Sequence, residues 1–131
     1  MSRKPETNFV RRIKDLKKHN KNYYFQAIET TTSRGVADLF TVIKGRSFWL
    51  EIKVNHGKKV SKNIGLSKYQ QAWQLVLNKH RGHCFNLLLV PTQREVKTYR
   101  IEPSGLRELA TFPDTEVGLC MALEHMAEQI K

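Results

Sequence analysis

The mostly apolar stretch GVADLFTVIKGRSFWLEIKV, from Gly35 to Val54, carries two carboxylates and, two residues after the second of them, a lysine. Asp38 stands near its start, and Glu51 and Lys53 stand near its end. A carboxylate in a buried strand costs free energy unless it shares a proton, meets a cation or holds a metal ion. These three residues are therefore candidates for chemistry.

The stretch predicts a β-hairpin that turns at Lys44-Gly45. With a two-residue turn, Asp38 lies directly opposite Glu51, with Cβ atoms about 4.5–5.5 Å apart, and Lys53 follows on the same face. A turn of this sequence is weaker than Asn-Gly, and a one-residue slip would separate the two carboxylates. The predicted faces carry Phe40 and Trp49 beside the carboxylates, and Leu39, Leu50 and Ile52 on the other side.

Two hard oxygen donors at this separation suit Mg²⁺ or Mn²⁺, which commonly take one or two protein carboxylates with water and substrate phosphate. Lys53 would add positive charge where a nucleophile or phosphoryl oxygen lies. The alternative is a structural salt bridge between Glu51 and Lys53. The same acid-x-Lys spacing occurs at Asp15-x-Lys17 and Glu95-x-Lys97, so the spacing alone leaves both interpretations open.

Four motifs in chain order resemble the PD-(D/E)XK nuclease superfamily, and within it the VRR-NUC group and the archaeal-type Holliday-junction resolvases. They are a first helix bearing Glu6, then GVADL, LEIKV and LSKYQQAW. The family pattern is a helix with Glu, then G-x-P-D-hydrophobic, E-x-K and L-S-x-x-Q. Ala37 replaces the family proline, and the loop after Lys53 is longer than in VRR-NUC domains, which leaves the substrate class open.

The resemblance implies a restriction-endonuclease-like core with a Mg²⁺ or Mn²⁺ site. Asp38, Glu51 and the backbone carbonyl of Ile52 would bind the metal, with Glu6 completing the site through a ligand water or a second metal. Lys53 would position or activate the attacking water and stabilise the phosphorane charge, and Gln70 would orient the lysine or a phosphate. Simpler roles exist for two of them. Gln70 completes a capping box with Ser67, and Glu6 complements a helix dipole. Glu29 is a further possible ligand, although a loop-edge carboxylate is the simpler interpretation.

Positive charge is concentrated in the first half of the chain. Residues 1–63 hold 15 Lys and Arg against 5 Asp and Glu, whereas residues 64–131 hold 8 against 7. Such asymmetry favours a nucleic-acid partner, and an anionic membrane much less. The predicted DNA contacts are Arg11, Arg12, Ser33, Arg34, Lys58, Lys59, Lys62 and Lys68, with Lys14 and Lys18 as further basic residues of the first helix.

A length of 131 residues fits one domain. The apolar periodicity predicts an α/β or α+β domain in the order α-β-β-β-α-β-β-α-α around a mixed sheet. A flexible basic loop is predicted after Val54, a short helix after Ser104 and a last helix from about Thr115 to Ile130. Cys84 and Cys120 are expected to be reduced, buried thiols.

The expected function is metal-dependent hydrolysis of DNA phosphodiesters, directed at branched DNA because the chain has no room for a separate sequence-reading domain. Symmetric cutting of a junction needs two active sites and therefore a homodimer. The alternatives are a non-catalytic DNA-binding protein on a nuclease scaffold and a nuclease that acts on RNA. No signal peptide or membrane span is evident, which predicts a cytoplasmic location, or the host cytoplasm for a viral protein.

Overall fold

The computed structural model describes residues 3–29 and 34–130. These residues form three helices and six strands in the order α-β-β-β-α-β-β-β-α, with short 3₁₀ turns at Leu16–His19 and Pro91–Gln93. The elements are α1 (Arg3–Asp15), β1 (Tyr23–Ala27), β2 (Leu39–Ile43), β3 (Arg46–Val54), α2 (Lys68–Lys79), β4 (Cys84–Val90), β5 (Glu95–Glu102), β6 (Gly105–Pro113) and α3 (Glu116–Glu128).

The six strands form one mixed sheet in the order β1-β2-β3-β4-β5-β6. Every neighbouring pair is antiparallel except β3 and β4, which run parallel because α2 carries the chain back across the sheet between them. The predicted α+β class, a central mixed sheet flanked by helices, is confirmed. The parallel pair makes β3 a central strand, with β2 on one side and β4 on the other.

The helices cover both faces of the sheet. Helices α1 and α3 pack with Leu50 and Ile52 in the main core, whereas α2 covers the opposite face. Strand β4 is buried along its whole length, as its continuous apolar run predicts. The loop between β3 and α2 is anchored rather than free, because Ile64 and Leu66 are buried against β4 and β5.

The β2–β3 hairpin has the predicted turn and register. Lys44 and Gly45 have φ angles of 51° and 85°, the left-handed conformations of a type I′ turn. Ile43 pairs with Arg46 and Leu39 pairs with Leu50, so continuation of the same register places Asp38 opposite Glu51. The predicted register is therefore confirmed from Ile43–Arg46 to Leu39–Leu50, without the one-residue slip that a weak turn could allow, and Asp38 is the next residue beyond the paired strand.

The prediction of a short helix after Ser104 is wrong, because this segment is strand β6. Leu106, Leu109 and Phe112 recur every three residues, which imitates a helical pattern. In the structure, a bulge at Leu109 shifts the register with β5, so Leu109 and Phe112 both reach the main core while Leu106 faces the α2 side. Pairing with β5 therefore overrides the local pattern.

Within residues 3–29 and 34–130, no helix is long and apolar enough to cross a bilayer. Cys84 is buried and Cys120 is half-buried, and both are free thiols. The last helix begins one residue after the predicted start, where the Thr115 hydroxyl accepts a hydrogen bond from the Gly118 amide.

Candidate active site

Asp38 occupies the point where the β2–β3 ladder opens. The last paired residues are Leu39 and Leu50. Beyond them, the Ile52 amide donates to Asp38 Oδ2 at 2.8 Å, so a side chain replaces the missing backbone partner. The Asp38 carbonyl accepts from the Ile28 amide at 2.9 Å. Asp38 is therefore held from both neighbouring strands, with one carboxylate oxygen engaged by the backbone.

Glu51 lies one residue further along β3 than Leu50 and is only 2% exposed. Its Oε2 accepts a hydrogen bond from Gln70 Nε2 at 2.8 Å and lies 3.4 Å from Lys53 Nζ. Its Oε1 is buried and has no hydrogen-bond partner among the described residues. An unpartnered buried carboxylate oxygen is costly, so a positively charged or hydrogen-bonding group at this oxygen would be stabilised.

The electrostatics of the carboxylate pair are unfavourable in the absence of a cation. Burial and the charge of Asp38 raise the pKa of Glu51 to about 8, although Lys53 opposes the shift. Burial also raises the pKa of Asp38, against the Ile52 amide and Lys53, which lower it. One lysine therefore does not compensate two buried carboxylates, and a second positive charge would be stabilised between them.

Gln70 forms the predicted capping box, and its side chain also contacts Glu51. Its side-chain oxygen accepts from the Ser67 amide at 2.9 Å, and its own amide donates to Ser67 Oγ at 3.1 Å, which forms the predicted capping box. The side-chain nitrogen donates to Glu51. The capping box thus fixes the amide so that its NH₂ group points at the carboxylate.

Glu6 approaches the site from α1. It is half-buried, and its charge raises the pKa of both Asp38 and Glu51, which places it near them. Still, no three acidic, His or Cys side chains of the described residues converge closely enough to enclose a metal ion by themselves. Glu6 is therefore a neighbour of the carboxylate pair and not a third member of a closed ligand set. Glu29 is exposed.

The donor set fits a hard divalent cation that keeps several waters. Asp38 and Glu51 offer carboxylate oxygens, of which Glu51 Oε1 is unpartnered. The Ile52 carbonyl leaves β3 on the same edge as the Ile52 amide, because both groups of a strand residue point the same way, and so it faces Asp38. Mg²⁺ and Mn²⁺ are the ions that prefer such oxygen donors with open positions.

The predicted DNA contacts fall into different surroundings. Ser33 lies outside the described residues. Arg12 is engaged in a 2.6 Å ion pair with Asp114 before α3, and Arg34 lies over the Tyr69 ring. The remaining predicted contacts are all exposed: Arg11, Lys58, Lys59, Lys62 and Lys68.

Sequence reasoning missed a buried pair of amides beneath the site. Gln74 and Asn86 exchange two hydrogen bonds of 2.7 and 2.8 Å, and neither is accessible to solvent. Gln74 lies one helical turn after Gln70, and Asn86 is registered beside Glu51 in β4. The pair fixes α2 over the sheet and so sets the distance from Gln70 to Glu51. An Asn inside the apolar run CFNLLLV was the available signal.

Comparison with known proteins identifies no family for this chain. No protein-family model matches it, and no curated protein is significantly similar to it. The chemistry of the site must therefore be inferred from its own residues.

Proposed function

We propose that the protein is a divalent-metal-dependent endonuclease of the PD-(D/E)XK type that hydrolyses DNA phosphodiester bonds. The supporting observation is the convergence of Asp38, Glu51 and Lys53 where the β2–β3 ladder opens, with a buried Glu51 oxygen left unpartnered. Carboxylates forced together beside a lysine are the donors and the charge that metal-assisted phosphodiester hydrolysis requires.

Each residue of the proposed active site has a separate proposed role. Asp38, Glu51 and the Ile52 carbonyl would hold Mg²⁺ or Mn²⁺, which when bound lowers the pKa of water and neutralises phosphate charge. Lys53 Nζ, 3.4 Å from Glu51, would place a positive charge beside the attacked phosphate. Gln70 holds Glu51 in its rotamer, and Glu6 would bind through an intervening water.

A structural salt bridge alone explains less of the geometry. The Glu51–Lys53 contact does exist, but it engages only Oε2. It leaves Oε1 unpartnered and does not prevent the pKa of Glu51 from rising to about 8. A buried pair that served stability would satisfy its remaining oxygens. Strongly shifted carboxylates in such a setting favour a functional site.

The basic first half of the chain supports DNA as substrate. Branched DNA is the proposed class, since one sheet with three helices recognises shape more readily than base sequence. The proposed cutting unit for a four-way junction is a homodimer, which supplies two sites.

The test is a cleavage panel. Linear duplex, four-way junction, flap and RNA are incubated with Mg²⁺, Mn²⁺ or EDTA. We expect metal-dependent nicking of branched DNA that leaves 5′-phosphate and 3′-hydroxyl ends. We also expect analytical ultracentrifugation to show that the protein binds the junction as a dimer. Binding to junctions without cleavage under any metal would instead support a non-catalytic DNA-binding protein, and cleavage of RNA alone would make RNA the substrate.

A further inference from the structure

A groove of about 390 Å³ opens along the outer side of α2, close to the carboxylate pair. Tyr69, Trp73 and Val76 line it at helical spacing, and Arg34 also lines it. Tyr69 is 45% exposed and Val76 is 58% exposed. The row therefore presents aromatic and aliphatic surface to solvent on a helix whose other side carries the buried Gln74.

Cations border the aromatic surface. The Arg34 guanidinium lies 5.1 Å from the centroid of the Tyr69 ring, and Lys68 Nζ lies 5.6 Å from it. No carboxylate lines the groove. Aromatic rings with neighbouring Arg or Lys, and without acidic groups, match the two parts of a nucleotide, since the base stacks and the phosphate meets the cations.

Packing holds the Trp73 side of the groove and the backbone at Gly35 in place. Trp73 packs edge-to-face on Trp49 with centroids 5.5 Å apart, and Trp49 packs on Phe40 at 5.3 Å. Gly35, with φ of 85°, lies so close to α2 that a Cβ there would be 2.3 Å from the Tyr69 carbonyl oxygen. Gly35 is therefore locked against the helix. Because this segment is already held in place, it loses little conformational entropy when a ligand binds.

The groove is also next to the proposed chemistry. Gln70 follows Tyr69 directly, and its side-chain nitrogen contacts Glu51. A nucleotide whose base rested on Tyr69 would thus contact the residue that precedes Gln70 on α2, the helix that supplies a contact to Glu51. A base in a continuous duplex is stacked on both sides, so only an unpaired base can enter.

On the basis of the proposed function, we infer that this groove binds an unpaired nucleobase of the DNA substrate, with Tyr69 as the stacking platform. Because Arg34 lies over the Tyr69 ring, the base takes the place of its guanidinium, and Arg34 and Lys68 then contact the adjoining phosphates. The ligand class is a nucleotide in a single-stranded or unpaired segment beside the cut. A second copy of the chain fits less well, since a two-fold contact through this groove would bring the two copies' cations together.

The test is binding without cleavage, measured in EDTA on two oligonucleotides of equal length and charge: single-stranded oligo-dT and the same backbone made of abasic nucleotides. Wild type is expected to prefer oligo-dT. Tyr69→Ala should weaken oligo-dT binding about ten-fold and leave abasic binding unchanged, while Tyr69→Phe should retain the preference. The matched control is Tyr24→Ala, because Tyr24 is 44% exposed with Lys17 5.7 Å from its ring centroid, yet lies on β1.

Equal loss in Tyr24→Ala, or no loss in Tyr69→Ala, would overturn the inference. So would conversion of a dimer to a monomer by Tyr69→Ala in sedimentation, which would make the groove an interface between copies. Base-dependent binding through Tyr69 in a protein that never cleaves would retain the inference and reject the nuclease. Metal-dependent cleavage by a protein in which Tyr69→Ala does not change oligo-dT binding would support the nuclease and reject the inference.

Discussion

The chain contains the same three-residue pattern, Glu-x-Lys, on two strands of one sheet, with opposite surroundings. On β3, the Glu51 side chain is 2% exposed and lies 3.4 Å from Lys53. On β5, the Glu95 side chain is 38% exposed and lies 3.7 Å from Lys97, which also approaches Glu108. Both pairs are ion pairs by distance, and distance alone does not separate them.

Burial and a second carboxylate separate the two pairs. Asp38 raises the pKa of Glu51, and a Glu51 oxygen has no partner. At β5 both acids are accessible to solvent, although the Lys97 side chain between them is only 17% exposed. The acids of the β5 pair are accessible to solvent, which weakens an ion pair, whereas Glu51 of the β3 pair is buried and one of its oxygens has no partner among the described residues. The β5 pair is thus an internal control.

The largest expected difference is catalytic. Lys53→Ala should reduce junction cleavage about a thousand-fold, because a positive charge beside the phosphate is lost from the transition state. Lys97→Ala should leave the rate unchanged. Cleavage is measured under single-turnover conditions with Mg²⁺, and junction binding with Ca²⁺, where neither variant should change affinity much. Near-normal cleavage by Lys53→Ala would contradict its assignment.

The next difference concerns whether DNA contacts the loop that follows β3 or the basic residues in the second half of the chain. Lys58, Lys59 and Lys62 are exposed on the loop that follows β3. Replacing all three with Ala should lower the slope of log K against log salt by about 3 and weaken binding of every DNA shape by on the order of a hundred-fold near physiological salt.

The matched triple variant removes the same charge from the other half of the chain, at Lys79, Arg94 and Arg107, and should leave the slope nearly unchanged. Equal slopes for wild type and the loop variant would mean that this loop points away from DNA, and would move the contacts to α1, at Arg11, Lys14 and Lys18.

A smaller difference is expected in stability with metal. A cation that binds only the native state adds about 2.7 kcal/mol at a hundred times its Kd. Mg²⁺ or Mn²⁺ should therefore raise the melting temperature of wild type and of Glu95→Gln. Asp38→Asn keeps an acceptor for the Ile52 amide but loses the charge, and should lose most of the response. Equal responses in all three proteins would show that the metal binds elsewhere.

The smallest difference is expected without metal. Because the native pKa of Glu51 is raised to about 8 from 4.5, its contribution to stability is complete below pH 4.5 and is lost as the pH rises towards 8. Glu51→Gln should remove this loss and raise the free energy of unfolding at pH 7.5 by on the order of 2 kcal/mol. Urea unfolding of wild type and Glu51→Gln in EDTA, from pH 5 to 8.5, measures this difference in the free energy of unfolding.

Glu95→Gln is the control for that series, and its effect should stay within about 0.5 kcal/mol at every pH, as for exposed positions generally. A Glu51→Gln variant that is less stable than wild type at pH 7.5 would show that the carboxylate is stabilising, as in a structural salt bridge.

The sequence by itself determined the β2–β3 hairpin and therefore the facing of Asp38 and Glu51. Turn length and the two-residue period of a strand are local properties, so the register follows from counting residues. The start of α2 was equally predictable, since Ser67 and Gln70 form a capping box within four residues. The concentration of Lys and Arg in residues 1–63 needs no structure at all.

Only the tertiary structure decided what surrounds these local units. The parallel pairing of β3 with β4 buries Glu51, and the Gln74–Asn86 pair sets α2 at the height where Gln70 reaches it. The segment of β6 is a strand despite the helix-like spacing of its apolar residues, because it pairs with β5. These features depend on contacts between residues far apart in the chain, whose free energy comes from burial and pairing in the assembled sheet. No local period encodes them.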